Sequence, residues 1–394
     1  MTDKQEFQRG NIITISLAHF VHDTFSSFLA PLLPLLIEKF SISYALAGFL
    51  TVVRNLPSLF NPFMGMIADK VSIRYFVISA PFITSVAMSF LGAAPSYTIV
   101  AILLFISGIS ASMFHVPAPV MIKDVSGIKI GRGMSYFMLG GEFARSIGPI
   151  VVLGAVSIWG LEGSYRLIIV GFLATIFLFI KFKKISPSTD GSDKLKNQKQ
   201  ELGAIKSLKE HLRPLLLLTG VILFLSFMRG SLRAFLPTYL TLRGESLWMS
   251  GIALSVISFA GSIGSFFSGT ISDKIGRRNT LLIIGIGSPL FLWLFTISNN
   301  FWMIPILIIL GLFVLSANPV LLAIIMELET DRPSFLNGVF MSIMFLLNAL
   351  SVFLVGVLSD LVGMIFTFKI LSVLGLLAIP FIFSLKKEKS TLKD

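Results

Sequence analysis

Three titratable residues interrupt one apolar run. In SLAHFVHDTFSSFLAPLLPLL, which starts at Ser16, His19 and Asp23 are four apart and His22 is three from His19, so a helix carries them on one stripe. A carboxylate and two imidazoles so placed can take up and release a proton. A second set is basic: Arg54, Arg145, Arg229 and Arg233 also fall inside apolar runs, with Glu142 three residues before Arg145. Guanidinium forks match the oxygens of carboxylates and phosphonates. Against these four arginines the interiors of the runs hold only two acids, Asp23 and Glu142, and Lys369 is set aside as close to the end of its run. Glu142 and Arg145 can neutralise each other on one helix face. Asp23 and Arg54 lie at similar depth on neighbouring runs and form an expected pair. Arg229 and Arg233, four apart, have no acid in their own run. An unpaired guanidinium in hydrocarbon costs about 2.5–3.5 kcal/mol on insertion scales, so the two need a wet cavity, an acid from another helix or a bound anion.

The elements that position these residues are membrane helices. Of 394 residues, 55% are hydrophobic and 13% charged, Phe alone occurs 37 times, and mean hydropathy is +0.88. So few charges cannot cover that apolar surface in water, and the runs are too continuous for alternating barrel strands. Twelve helical spans are expected, at roughly 12–37, 44–68, 74–92, 97–120, 133–158, 165–182, 215–241, 248–271, 279–297, 301–326, 337–361 and 364–385. One long polar break, 183–213, separates a six-helix bundle at 1–182 from another at 214–394 and reads as a cytoplasmic linker. Outside the runs, only Lys39, Arg166 and Arg243 fall on the loops opposite the linker, which places both termini in the cytoplasm. The net charge of +12 and the pI near 9.9 follow from that asymmetry, so basicity is no sign of nucleic-acid binding. There is no cysteine, hence no disulfide framework. The first apolar stretch is longer than a signal-peptide core and lacks a convincing cleavage site, so it is expected to be retained.

One phrase occurs twice: GMIADKVSIRY, with Gly65, Asp69, Lys70 and Arg74, and GTISDKIGRRN, with Gly269, Asp273, Lys274, Gly276, Arg277 and Arg278. Each copy follows the second helix of its half. Twelve helices as six plus six, a long central loop and this phrase after helices 2 and 8 resemble the major facilitator superfamily, across nearly the whole chain. The resemblance implies an all-α integral membrane fold of two six-helix bundles with inverted repeats, and a loop phrase that holds one state of a transport cycle. The first copy departs from the family pattern at Ser72 and Ile73. Three narrower phrases, S-L-x-H-x-x-x-D in the first helix, F-H-x-P in the fourth and G-G-x-x-x-x-S-x-G-P in the fifth, resemble the bacterial fosmidomycin resistance protein group. That resemblance implies a proton-driven exporter of a small anionic drug.

Within that frame Asp23, Glu142, His19 and His22 are the expected proton-coupling residues, and Arg54, Arg145, Arg229 and Arg233 the expected substrate contacts. Each has a plainer rival, a structural ion pair or, for Arg233, snorkelling to the surface. His115 serves equally as a helix-end residue or a proton relay. Asn318 and Asn348 serve equally as substrate contacts or as packing hydrogen bonds. Gly148-Pro149 is expected to kink the fifth helix. The expected mechanism is alternating access, with a proton releasing an arginine that substrate then occupies, read as antiport; an importer or exchanger of organic anions or organophosphates is the alternative, and a non-transporting sensor is disfavoured by the lack of a sizeable soluble domain. No H-E-x-x-H, G-x-S-x-G or G-x-x-x-x-G-K-[ST] phrase is present, so no enzyme, metal or cofactor is expected. The expected partners are protons, a small anion and the bilayer, for a monomer in a bacterial inner membrane. Substrate identity, transport direction and proton stoichiometry are left open by the sequence.

Overall fold

The computed structural model describes residues 7–61, 73–127, 130–182, 208–328 and 333–385. Their regular structure is helical, with no strand among the described residues, as backbone in hydrocarbon requires. Among the described residues nine helical runs are long and apolar enough to cross a bilayer. One of them, Arg132–Phe182, has 51 residues, more than twice the roughly 20 that a crossing needs. It breaks at Gly160, whose φ of 74° a side-chain-bearing residue rarely adopts, and so makes two crossings. With Tyr44–Asn55, which runs on into a 3-10 turn at Leu56–Phe60, and Ile73–Ser89, these runs account for the twelve expected spans.

The chain divides into two compact units. The first comprises 1–42, 49–191 and 244–255. It holds α1 (Arg9–Ser26), α2 (Leu29–Phe40), most of α3 (Tyr44–Asn55), α4 (Ile73–Ser89), α5 (Tyr97–His115), α6 (Ala118–Ser126), α7 (Ile130–Gly163) and α8 (Ile168–Phe182). α1 and α2 are one run interrupted at Ser27, whose hydroxyl donates to Thr24 O at 2.7 Å, and Pro34 removes a ladder donor inside α2. α5 begins where Ser96 accepts from Ile99 N and ends at His115, because the chain turns at Val116-Pro117 before α6. Ile12, Ile15, Phe114, Met121, Phe137 and Phe182 are buried together in this unit. Small residues bring α7 onto α1: a Cβ at Gly141 would overlap the His19 imidazole, and one at Gly148 would overlap Ser27 Oγ. Gly148 is therefore a close-approach position beside Pro149, which lies inside α7.

The second unit comprises 43–48, 192–243 and 256–394. Its helices are α9 (Leu212–Leu242), most of α10 (Leu247–Ile275), α11 (Arg277–Ile297), α12 (Asn300–Val314), α13 (Ala317–Met326), α14 (Pro333–Val362), α15 (Met364–Gly375) and α16 (Ala378–Phe383). α9 buries Met228, Phe235, Leu236 and Tyr239, and the Tyr239 ring stacks on Phe368 of α15 at 4.3 Å. The first turn of α3 groups here because Asp360 on α14 accepts from Tyr44 N at 2.7 Å and Ala45 N at 2.8 Å. The divisions expected at 182 and 214 thus differ from these units at 43–48 and 244–255, and most of the expected linker, 183–207, lies outside the described residues. Ile158, Phe266, Phe301 and Leu361 turn largely exposed apolar side chains outward, as lipid contact demands.

Candidate functional site

In the first unit the structure gathers five titratable or charged side chains around one carboxylate. Asp23 is 3% exposed. His22 Nδ1 lies 3.0 Å from its Oδ1, His115 Nε2 3.2 Å from the same oxygen, His19 Nε2 3.3 Å from Oδ2, and Arg145 Nη2 donates to Oδ2 at 3.1 Å. Arg145 also donates through Nη1 to Glu142 Oε1, so one guanidinium bridges two acids. α1 supplies His19, His22 and Asp23, the last residue of α5 supplies His115, and α7 supplies Glu142 and Arg145. Aromatic faces pin the rings: His19 stacks on Phe137 at 4.1 Å and His22 on Phe114 at 4.8 Å.

Hydrogen-bond chemistry assigns the imidazole protons. His19 Nδ1 meets the Phe137 carbonyl at 2.8 Å, and a carbonyl only accepts, so this nitrogen carries hydrogen. In the neutral ring Nε2 is then a lone pair facing Asp23 Oδ2, and it is buried without a hydrogen bond. A second proton, on Nε2 or on the carboxylate, converts that opposed pair of acceptors into a donor and an acceptor. His22 donates through Nδ1 to Asp23 and leaves Nε2 buried and without a partner. Both rings thus hold a buried Nε2 without a hydrogen-bond partner. His19, Asp23 and His115 also present three ligand atoms within 4.8 Å of one another, enough to surround a metal ion. The Arg145 guanidinium on the same carboxylate opposes a metal cation there.

Several expectations are altered. The expected Asp23–Arg54 pair is not formed: Arg145 occupies the carboxylate, and Arg54, half-buried on α3, makes no ion pair with a described acid. The reason is azimuth. Residue counting gives depth along a helix, but it does not say which neighbour a side chain faces. His115, ambiguous in sequence, joins the cluster, and the F-H-x-P phrase was its only sequence signal. The Phe137 carbonyl, which fixes His19, had none.

In the second unit Arg229 is 7% exposed. Its Nη1 donates to Asn318 Oδ1 and its Nη2 to Ser226 Oγ at 3.3 Å, while Nε is buried with no partner. Arg233, one turn along α9, is exposed. Of the first loop phrase, Gly65, Asp69 and Lys70 lie outside the described residues, while Arg74 Nη2 donates to Tyr75 OH at 3.3 Å. The second phrase is a charged clasp. Arg277 pairs with Asp273 at 2.5 Å and with Glu327, just beyond α13, at 2.6 Å, and Gly276 takes φ 90° where α11 begins. Arg278 lies over the Phe383 ring at 5.2 Å, Lys274 is exposed, and Gly269 has open space at its Cβ position.

Comparison with known proteins agrees with this architecture. The sequence profile of the Major Facilitator Superfamily matches residues 15–328 and 264–394. The chain is 24% identical over 388 residues to the fosmidomycin resistance protein of Escherichia coli (strain K12), covering 97% of this chain and 94% of that one. It is 22% identical over 289 residues to the multi-drug resistance efflux pump PmrA of Streptococcus pneumoniae serotype 4, covering 70% of each. Among solved structures, a bacterial homolog of the human lysosomal transporter Spinster, inward-facing and unoccupied, superposes with a TM-score of 0.78 at 15% identity over 96% of both chains. The nucleoside transporter NupG superposes with a TM-score of 0.79 at 14% identity, over 95% of this chain and all of that one. A multi-pass helical membrane protein with this profile and this fold is a secondary transporter and not an enzyme: the chain belongs to the major facilitator superfamily.

Proposed function

We propose that the chain is a proton-coupled antiporter that exports a small anionic drug or metabolite by alternating access, from two bundles, 1–182 and 214–394, joined by the 183–213 segment. The observation that carries the reading is Arg145 held between Asp23 and Glu142, with three histidines gathered on the Asp23 carboxylate. A proton arriving at Asp23, directly or through His19 or His22, cancels the charge that holds Arg145 Nη2. The guanidinium is thereby released from Asp23 while Glu142 retains Nη1, and in the antiport reading substrate occupies that guanidinium in the other limb of the cycle, not together with the proton. Arg229 and Arg233 in the second unit supply further positive charge, and Arg54 adds to it in the first. The export direction is supported by relatives whose names are those of drug resistance and efflux proteins. The clasp at Asp273, Arg277 and Glu327, with its counterpart phrase at Gly65, Asp69, Lys70 and Arg74, stabilises one state of the cycle. The protein is read as a monomer of the bacterial inner membrane with both termini cytoplasmic.

The same bridge favours a second reading. An anion that takes Arg145 leaves Asp23 without its cation, and a buried bare carboxylate then binds a proton more readily. Anion and proton therefore reinforce one another at this site instead of excluding one another, which is the linkage of cotransport. A relative named sialic acid transporter NanX, of Escherichia coli (strain K12), is 24% identical over 58% of this chain. Proton movement distinguishes the two readings. In proteoliposomes carrying an internal pH dye, antiport moves protons against the direction of a phosphonate such as fosmidomycin, and cotransport moves them with it. Anion flux that leaves internal pH unchanged contradicts both.

A further inference from the structure

Arg229 lies buried among neutral groups. Its described contacts are the Asn318 amide oxygen and the Ser226 hydroxyl, and no described carboxylate pairs with it. The Ser226 carbonyl in turn accepts from Ser351 Oγ at 3.1 Å, tying α14 to this turn of α9. A guanidinium has no acceptor, so the atom Asn318 presents to it must be the carbonyl oxygen, and the Asn318 NH2 group points away from the arginine. The outcome is a set of unspent donors, the orphaned Nε–H of Arg229 and the amide hydrogens of Asn318, beside an uncompensated positive charge. An acid at position 318 would have satisfied Arg229 permanently. The asparagine holds the guanidinium in place by hydrogen bonding while leaving its charge unspent.

We infer that Arg229 and Asn318 form a single donor site for an anionic group of the carboxylate or phosphonate class, in which Asn318 is a specificity-determining residue that keeps the arginine fixed and electrically open. The inference rests on the reading of the substrate as an anion. Two oxygens of the ligand take the free guanidinium edge and the Asn318 amide, the paired geometry in which arginine binds planar or tetrahedral oxyanions. Ligands lacking negative charge, or carrying positive charge, gain nothing here.

The test is binding of phenylphosphonate, benzoate and tetraphenylphosphonium to the purified full chain in detergent, with melting followed in parallel. Asn318→Asp supplies the missing acid, so it is expected to melt no lower than the wild type, to lose at least tenfold in affinity for both anions and to bind the cation no more weakly. Asn318→Ser keeps an acceptor for Arg229 but removes the amide donors, and is expected to weaken phenylphosphonate binding severalfold. If Asn318→Asp or Asn318→Ser folds and binds the anions as tightly as the wild type, the inference is overturned while the anionic-substrate reading stands. If the wild type prefers tetraphenylphosphonium to both anions, the reading and the inference fall together.

Discussion

Replacing Arg145 by lysine keeps the positive charge and tests the bridge alone. Arg145 reaches its two acids through different nitrogens, Nη2 to Asp23 at 3.1 Å and Nη1 to Glu142. Lysine has one nitrogen and no fork, so it can serve one acid well or both poorly. A hydrogen bond to a charged group is worth about 1.5–3 kcal/mol. The Arg145 side chain is 34% exposed, which screens its interactions, whereas the Asp23 side chain is only 5% exposed. The loss on the Asp23 side therefore falls at the lower end, about 1.5–2 kcal/mol, a factor of roughly ten to thirty. The assay is uptake of a labelled phosphonate into inside-out vesicles at subsaturating concentration under an imposed proton gradient, normalised to protein level. Arg145→Lys is expected to lower the gradient-dependent rate by that factor while the folded protein accumulates normally. A wild-type rate with unchanged dependence on the gradient would refute the bridge as the coupling element.

Other outcomes follow from packing and charge. Gly141→Ala puts a methyl group into the His19 ring, whereas the same change at Gly154 meets nothing within 4 Å; the first is expected to cost about 1–3 kcal/mol in detergent melting and to abolish gradient-driven uptake, and the second to do neither. Arg277→Ala removes pairs whose acidic partners are about half exposed, so the loss in melting stability is expected to stay near about 1 kcal/mol; a loss several times larger would show that the clasp is more than a surface network. His115→Gln keeps polar atoms at the edge of the cluster but cannot hold a positive charge, and is expected to shift the pH dependence of uptake without preventing expression; an unmoved pH profile contradicts a role for His115 in proton handling.

The sequence disclosed what is local and periodic. Apolar runs of crossing length announced the helices, and spacings of three and four placed His19 beside Asp23 and Glu142 beside Arg145. Pairings between distant helices were not legible. Arg54 matched Asp23 in depth, yet α7 supplies the cation, because close approach at Gly141 and Gly148 seats α7 on α1. Those glycines were visible as a phrase, but their meaning as contact positions needs the neighbouring helix. Likewise Asn318 was recognisable as a polar residue deep in an apolar run, while its partner Arg229, on another helix, was not predictable from spacing. His115 shows a third limit. Two prolines beside it argued for a helix end, and it is one, but that end delivers the imidazole to Asp23.

In the proposed cycle, anion movement is tied to protons through Asp23. The most direct measurement is accumulation of a labelled phosphonate by proteoliposomes of purified protein under an imposed pH gradient, wild type beside Asp23→Asn. Asparagine retains the size of the carboxylate and one acceptor oxygen but cannot take a proton. The wild type is expected to accumulate the anion in a gradient-driven way, and Asp23→Asn only to equilibrate it, ignoring the gradient. Equal accumulation by the two proteins, collapsing equally when the gradient is dissipated, would contradict that coupling.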